Sequence, residues 1–462
     1  MKPQENFRDR IATVDASGKR KWVYARKPKG KYYTARTIVS LFFFALFLTL
    51  PFVKLNGRPL FMFNIPQAKF IIFGKVFWPQ DFVVFGVAMV TGILFIVLFT
   101  AAFGRLFCGW VCPQTNFMEM LFRKIEYVIE GDASEQQRRN KGPWNAEKIR
   151  VKTTKHVVFF LIAFVIANYF LAYIIGVDAL FAIIREPVSQ HVGGFLSLVV
   201  FSSVFYAVYA FFREQACTVV CPYGRLQSVL LDRNSVIVAY DYKRGEPRGK
   251  AKPDVTVGDC VDCYQCVRVC PTGIDIRNGT QMECVGCTAC IDACDAIMIG
   301  MNRPTGLVRY ASESGIAEGK KLSYTGRMKF YTLVLFILAG LLTTLLVTRH
   351  NVDGTIVRAP GLLFQEVGTD SLSNLYSFKY RNKTLDDIPL ELKLEGMNGQ
   401  VKLVTSNTIV AKKEDIGSAS FFIVLPRSAI NSRKTPLKVG LYQGNQKIAV
   451  VKTNFMGPFN KF

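Results

Sequence analysis

The sequence predicts a multi-domain membrane protein with three parts. These are five transmembrane α-helices, a small cysteine-rich domain between the fourth and fifth, and a C-terminal all-β immunoglobulin-like sandwich. Three observations predict it. Five apolar runs carry no charge. Eight of the twelve cysteines fall between Cys260 and Cys294. Beyond residue 350 cysteine is absent, and short alternating segments separated by Gly, Asn and Pro replace the long apolar runs.

The chain opens on a polar arm, residues 1–36, with eleven Lys or Arg and no secretory leader pattern. Its plainest reading is a solvated basic flank. The apolar runs are 37–53, 82–103, 157–175, 192–212 and 330–348, close to the ~20 residues that cross a bilayer. Charge sets the orientation. The connection 54–81 holds four Lys or Arg and 176–191 holds one, against ten in 104–156 and sixteen in 213–329. The N-terminus and the two basic segments are therefore expected in the cytosol, and the C-terminus outside. Every cysteine lies on that cytosolic side or at a cytosolic span end, as a reducing compartment requires. The divisions expected are 1–36, a four-helix core 37–212, a cytosolic segment 213–329, a fifth span 330–348 and a periplasmic β domain 349–462. Within the last, strands are expected at 376–380, 390–394, 401–404, 419–425, 437–442 and 447–453.

The cysteine-rich stretch has a specific spacing. Cys260, Cys263, Cys266 and Cys270 read C-x2-C-x2-C-x3-C followed by Pro271, and Cys284, Cys287, Cys290 and Cys294 repeat it. In the bacterial ferredoxin run the fourth cysteine ligates the other cluster. The spacing thus predicts a bacterial-type 2[4Fe–4S] domain over about 255–300. Cys260, Cys263, Cys266 and Cys294 would hold one cluster, and Cys284, Cys287, Cys290 and Cys270 the other. Structural zinc, the competing use of C-x2-C pairs, does not need repeated triples. Asp295 stands where the first copy has proline.

The other four cysteines form two C-x3-C-P pairs, Cys108/Cys112 with Pro113 and Cys217/Cys221 with Pro222, each just beyond an apolar run. The duplication marks an internal repeat. Residues four apart share a helix face, so each pair offers two thiols to a metal. Two pairs could converge on one site or act separately, and soft thiolates suit Cu(I), zinc or iron–sulfur clusters. Copper is the candidate metal here; buried small hydrophobes are the bland alternative. Met118 and Met120 follow the first pair and read as packing. His156, His191 and His350 read as interface residues, although His191 and His350 could in principle flank a haem.

A net charge of +24 with half the residues apolar fits basic membrane flanks rather than a nucleic-acid partner. No Gly-rich phosphate loop is present.

The chain resembles the CcoG family of cytochrome oxidase accessory proteins, also called FixG or RdxA. The resemblance rests on GKRKW at 18–22, NGRP at 56–59, FWPQDF at 77–82, CGWVCPQ at 108–114, CPYGRLQ at 221–227, RGEPR at 244–248, the ferredoxin runs and NLY at 374–376. It implies a multi-pass inner-membrane electron-transfer protein that assists assembly of the cbb3-type haem–copper oxidase by reducing Cu(II) to Cu(I). Cys108, Cys112, Cys217 and Cys221 would be the copper-reducing thiols, and oxidase subunits or copper chaperones and transporters the partners. The electron donor is not named by it. The membrane ferredoxin subunit of periplasmic nitrate reductase systems is also similar, which leaves a quinone-linked carrier as the alternative. A non-enzymatic assembly scaffold is the third possibility.

Overall fold

The structure, a computed structural model, describes residues 12–15, 17–249, 257–319, 325–349, 352–361, 363–368, 370–384, 386–404, 408–413, 415–430 and 432–458. The chain divides into two compact units, Met1–Leu341 and Leu342–Phe462.

The apolar runs become helices α1 (Lys31–Thr49), α2 (Phe82–Phe103), α3 (Ala146–Ile175), α4 (Val192–Ala207, continued by a π turn to Phe212) and α5 (Gly326–Val347). All five are long and apolar enough to cross a membrane. Two begin well before their apolar stretch. Hydropathy reports where a helix is greasy, but capping decides where it starts. Asn145 accepts from the Lys148 backbone N–H at 2.8 Å, so α3 opens eleven residues ahead of its apolar run. Asp292 receives the backbone N–H groups of Tyr32 and Tyr33 at 3.1 and 2.8 Å, so α1 opens at Lys31.

Helices α1, α3 and α4 pack around an aromatic core. Phe117 touches Phe43, Phe44 and Phe47 of α1 and Phe205 and Tyr209 from the α4 segment. Met118 and Met120 are buried, Met118 within this core. None of the apolar window of α2 or α5 is buried within the protein, which leaves those helices to lipid. His191 pairs with Glu186, and His350 lies outside the described residues.

Two segments differ from expectation. Residues 54–81 are not a plain loop: they contain a three-stranded antiparallel sheet, Phe61–Asn64, Lys69–Ile72 and Lys75–Phe77, closed over Met62, Ile71 and Val76. Short strands in a charged connection give too little alternation to read. The described part of the basic arm is tied to the rest of the protein, with Lys19, Lys21, Arg26, Lys27, Lys29 and Lys31 still exposed. Arg20 pairs with Glu214 at 2.8 Å and stacks on Trp22. The Arg26 N–H donates to the Arg268 carbonyl at 2.8 Å, and Tyr127 Oη donates to the Ala25 carbonyl at 2.9 Å. The arm thus straps the cysteine-rich domain to the helices, through Arg20 on the buried Glu214 and through the backbone at Ala25 and Arg26.

The second unit is a two-sheet sandwich. Its strands are β1 (Val352–Arg358), β2 (Gln365–Val367), β3 (Ser371–Asn382), β4 (Ile388–Glu395), β5 (Gln400–Leu403), β6 (Ile409–Ala411), β7 (Ile416–Pro426), β8 (Lys434–Gln443) and β9 (Gln446–Met456). One sheet runs β5-β7-β3-β1 with β2 on β3, the other β6-β4-β8-β9, and every pairing is antiparallel. Alternation fills the core. Phe421, Ile423 and Leu425 of β7 face Leu437, Val439 and Leu441 of β8, each no more than 2% exposed. Burying such a side chain contributes roughly 1.5–3 kcal/mol. Five of the six expected strands lie within β3, β4, β7, β8 and β9, and the sixth, 401–404, overruns β5 by Val404; β1, β2 and β6 were not anticipated.

Candidate functional site

Both C-x3-C-P pairs are built the same way. Each span ends on a residue of positive φ, Gly104 (φ 55°, ψ −131°) after α2 and Arg213 (φ 51°, ψ −122°) after α4. Four residues later comes the first cysteine, Cys108 within Leu106–Trp110 and Cys217 within Ala216–Val220. The second cysteine is not on the same helix face. Cys112 (φ −55°, ψ 126°) and Cys221 (φ −64°, ψ 111°) are extended, and a new helix starts at the following proline. A residue before proline is driven out of the helical region. The i,i+4 face expected from the spacing therefore does not form, and the extended residue re-aims the second thiol.

The two pairs face one another. Cys108 lies within electrostatic reach of Cys112 and Cys221, and Cys217 within reach of Cys112, Cys108 and Cys221. Cys108 Sγ donates to Gln227 Oε1 at 2.9 Å. Burial, with Cys112 adding to it, pushes the Cys108 thiol up to about 12. Burial beside Cys112 and Cys108 does the same for Cys217, also to about 12. Among the described residues, no three His, Cys, Asp or Glu side chains are drawn in tightly enough to hold a single metal ion. The four thiols are gathered but not closed on a mononuclear cage.

The ferredoxin-like cysteines surround two separate cavities. Cys260, Cys263, Cys266 and Cys294 line one, with Tyr264 and Arg277. Cys270, Cys284, Cys287 and Cys290 line the other, which Cys266 also touches. The donor chemistry fits a [4Fe–4S] cubane. The remaining walls are largely apolar, including Val238, Ile274 and Val285. Backbone N–H groups of Thr272, Gly273 and Ile274 point at the Cys270 sulfur, that of Gly286 at Cys284 and that of Ala289 at Cys287. Such N–H···S contacts favour thiolate and tune cluster potential. Burial pushes Cys266 up to about 12 against the pull of Arg277, and Cys290 well above its ordinary value. Protonated, these thiols are inert; a coordinated metal deprotonates them outright. Asp295, the departure from the repeat, lies on the helix Ala289–Gly300, accepts the Gly306 N–H at 2.8 Å and so anchors the turn after that helix.

The thiol pairs and the second cavity are in direct contact. A Cβ on Gly109, between Cys108 and Cys112, would collide with the Gly286 carbonyl, between Cys284 and Cys287. A Cβ on Gly286 (φ 69°) would lie 2.9 Å from the Arg105 carbonyl. Cys217 packs against the cluster of Val269, Val285, Cys287 and Ala289. Two arginines fasten this joint. Arg36 Nε donates to the Gly109 carbonyl at 2.9 Å, and Arg105 donates to the carbonyls of Cys284 at 3.4 Å and of Gly224. Sequence reasoning missed Arg36, Arg105, Gly109, Gly286, Asp292 and Gln227. The available signal was the glycine inside each of C-G-W-V-C and C-V-G-C, where close backbone approach excludes a side chain.

Three stretches of the chain match known families. Residues 212–313 match a family described as a 4Fe-4S dicluster domain, and 85–128 one described as a 4Fe-4S binding domain. Residues 342–458 match the IG-like fold at the C-terminal of FixG. Protein RdxA of Cereibacter sphaeroides is 32% identical over 82% of this chain and 83% of its own. Protein RdxB of the same organism is 30% identical over 87% of this chain and 90% of its own. Nitrogen fixation protein FixG of Rhizobium meliloti is 34% identical over 67% of this chain, which spans 60% of FixG's length. With iron–sulfur domains, membrane-length apolar helices and a terminal immunoglobulin-like fold all in place, the chain is an iron–sulfur electron-transfer protein that belongs to the FixG/RdxA family.

Proposed function

We propose that this chain assists assembly of a cbb3-type haem–copper oxidase by reducing Cu(II) to Cu(I) at Cys108, Cys112, Cys217 and Cys221. The observation that carries the reading is the contact of Gly109 with Gly286, which seats the four-thiol site against the Cys284–Cys287 loop. Cys260, Cys263, Cys266 and Cys294 are proposed to hold one cluster, and Cys270, Cys284, Cys287 and Cys290 the second. The clusters supply one-electron transfer, and each Cu(II) takes one electron. The residues of the chain do the rest. Soft sulfur favours Cu(I) over Cu(II), Gln227 orients Cys108, and Arg105 ties both thiol pairs to the cluster loop. In this reading the ferredoxin segment lies in the cytosol, the β domain in the periplasm, and copper chaperones, transporters or oxidase subunits receive the product.

Iron, sulfide and copper per chain on anaerobically purified protein test the proposal, wild type beside the protein with all four of these cysteines changed to serine. About eight irons in both, with Cu(II) reduction only in wild type, supports it. Equal Cu(II) reduction by the two proteins overturns it.

A second reading has its own support. The match of residues 85–128 to a 4Fe-4S binding domain covers Cys108 and Cys112, so the four thiols could instead hold iron. That reading requires about twelve irons in wild type and about eight in the serine variant.

A further inference from the structure

A cleft of about 640 Å³ opens between α3 and α4, within the size range of small-molecule sites. Its walls include Trp144, Phe160, Leu161 and Tyr206, and its polar side chains include Lys152, Thr153 and His156. His156 Nδ1 and Tyr206 Oη are hydrogen-bonded at 2.8 Å, and Phe160 meets the Tyr206 ring edge-on at 6.0 Å. The His156 ring is held flat against Phe211 at 5.7 Å. With Nδ1 used on Tyr206, Nε2 is left for a ligand among the described residues. Lys152 is already compensated, 2.8 Å from the buried Glu130. The lining therefore presents hydrogen-bonding groups and a single cation, which a buried carboxylate already holds. Along the same face of α3, Val157, Leu161 and Val165 are each at least half exposed. They make an apolar track four residues apart, leading from the cleft along the span.

An aromatic-walled slot with a histidine–tyrosine pair at its head and an apolar track behind it matches one kind of molecule. It is a planar ring with two oxygens on a long hydrocarbon tail. We infer that the cleft binds the head group of a membrane quinone, with a ring oxygen on His156 Nε2 and the tail along α3. A phospholipid would share the track, but its phosphate would find the lysine already paired. Position adds to the case. Tyr209, one turn beyond Tyr206, hydrogen-bonds Gln114 at 2.7 Å and lies beside Cys112 and Cys217. The inference rests on the electron-transfer reading and names the class of its membrane partner.

The test uses the full chain in phospholipid nanodiscs, titrated with decyl-ubiquinone and read by equilibrium binding. Tyr206→Phe removes one hydroxyl and His156→Leu the ring; Val199→Ala, in α4 and outside the lining of the cleft, is the control. Wild type and control are expected to bind alike, and the two variants at least tenfold more weakly, at unchanged iron content. Equal binding by all four proteins, or equal displacement by added phospholipid, overturns it. Iron content and Cu(II) reduction, measured on the same samples, report separately on the electron-transfer reading. The isosteric Tyr206→Phe keeps the test decisive should His156→Leu fold poorly.

Discussion

Glu126 is one carboxylate among buried cations. Lys155 Nζ lies 2.6 Å from it and Arg213 at 3.1 Å, with Glu130 and Glu214 completing the network. Burial alone would raise its pKa, but Arg213 and Lys155 outweigh burial and bring it down to about 2 from 4.5. A depressed carboxylate stabilises the fold fully above its ordinary value, and that stability is lost as pH falls from about 4.5 toward 2. The difference is worth roughly 3 kcal/mol. Glu126→Gln removes the nearer carboxylate of Arg213 and Lys155, leaving them Glu214 at 3.8 Å and Glu130 at 3.4 Å, and is expected to cost about 3 kcal/mol at pH 7. The urea midpoint in detergent, followed by far-UV circular dichroism, measures it. Among the cysteines, Cys263→Ser is expected to lower iron by about half and to expose 257–300 to protease, since cluster binding adds to folding there. Cys112→Ser is expected to leave the ferredoxin iron in place while Cu(II) reduction falls.

The cysteine-rich domain meets the helices through caps and close backbones. Asp292, on helix Ala289–Gly300 of the cysteine-rich domain, caps the first turn of α1. Asp292→Ala is expected to cost about 1 kcal/mol and to free the arm, read as faster proteolysis near residues 20–30. Gly109 and Gly286 set the separation of the thiol site from the second cavity. Gly109→Ala forces that joint apart. Cu(II) reduction is expected to slow at least tenfold, because small misplacements at a reacting site carry large rate costs, with iron content unchanged. Loss of iron in this variant would instead make the joint structural. The repeated turn at Gly104 and Arg213 explains why a charged residue bears positive φ. Arg213 is held by Glu126 and Glu214 and stacks on Trp22 at 4.8 Å.

For the whole molecule, the two compact units carry different parts of the chemistry. All twelve cysteines lie in Met1–Leu341. Leu342–Phe462 holds a complete sandwich core of its own, and its sheets are joined by side chains as well as by packing. Asn374 exchanges hydrogen bonds with the Met456 backbone at 3.1 and 2.8 Å, and Tyr376 Oη donates to the Asn454 carbonyl at 3.0 Å. This is the structural use of the N-L-Y motif. Residues 352–458 produced alone are expected to unfold cooperatively with a β-type dichroism spectrum and to contain no iron. A molten spectrum would mean that this core needs the rest of the chain.

Covalent spacing and periodicity are local properties, and what depends on them was legible in the sequence. Apolar runs placed five helices, alternation placed six strands, and the cysteine spacing marked an iron–sulfur domain. Tertiary structure decided what local pattern does not encode. Proline-driven extension at Cys112 and Cys221 took the thiols off a common helix face. The arm became a strap because Arg20 found the buried Glu214, 194 residues on, and its backbone found partners at Tyr127 and Arg268. The contact of Gly109 with Gly286 joined thiol site to cluster loop. Each of these depends on which groups meet across distant sequence, and charge, burial and steric fit select those meetings only once the chain is folded.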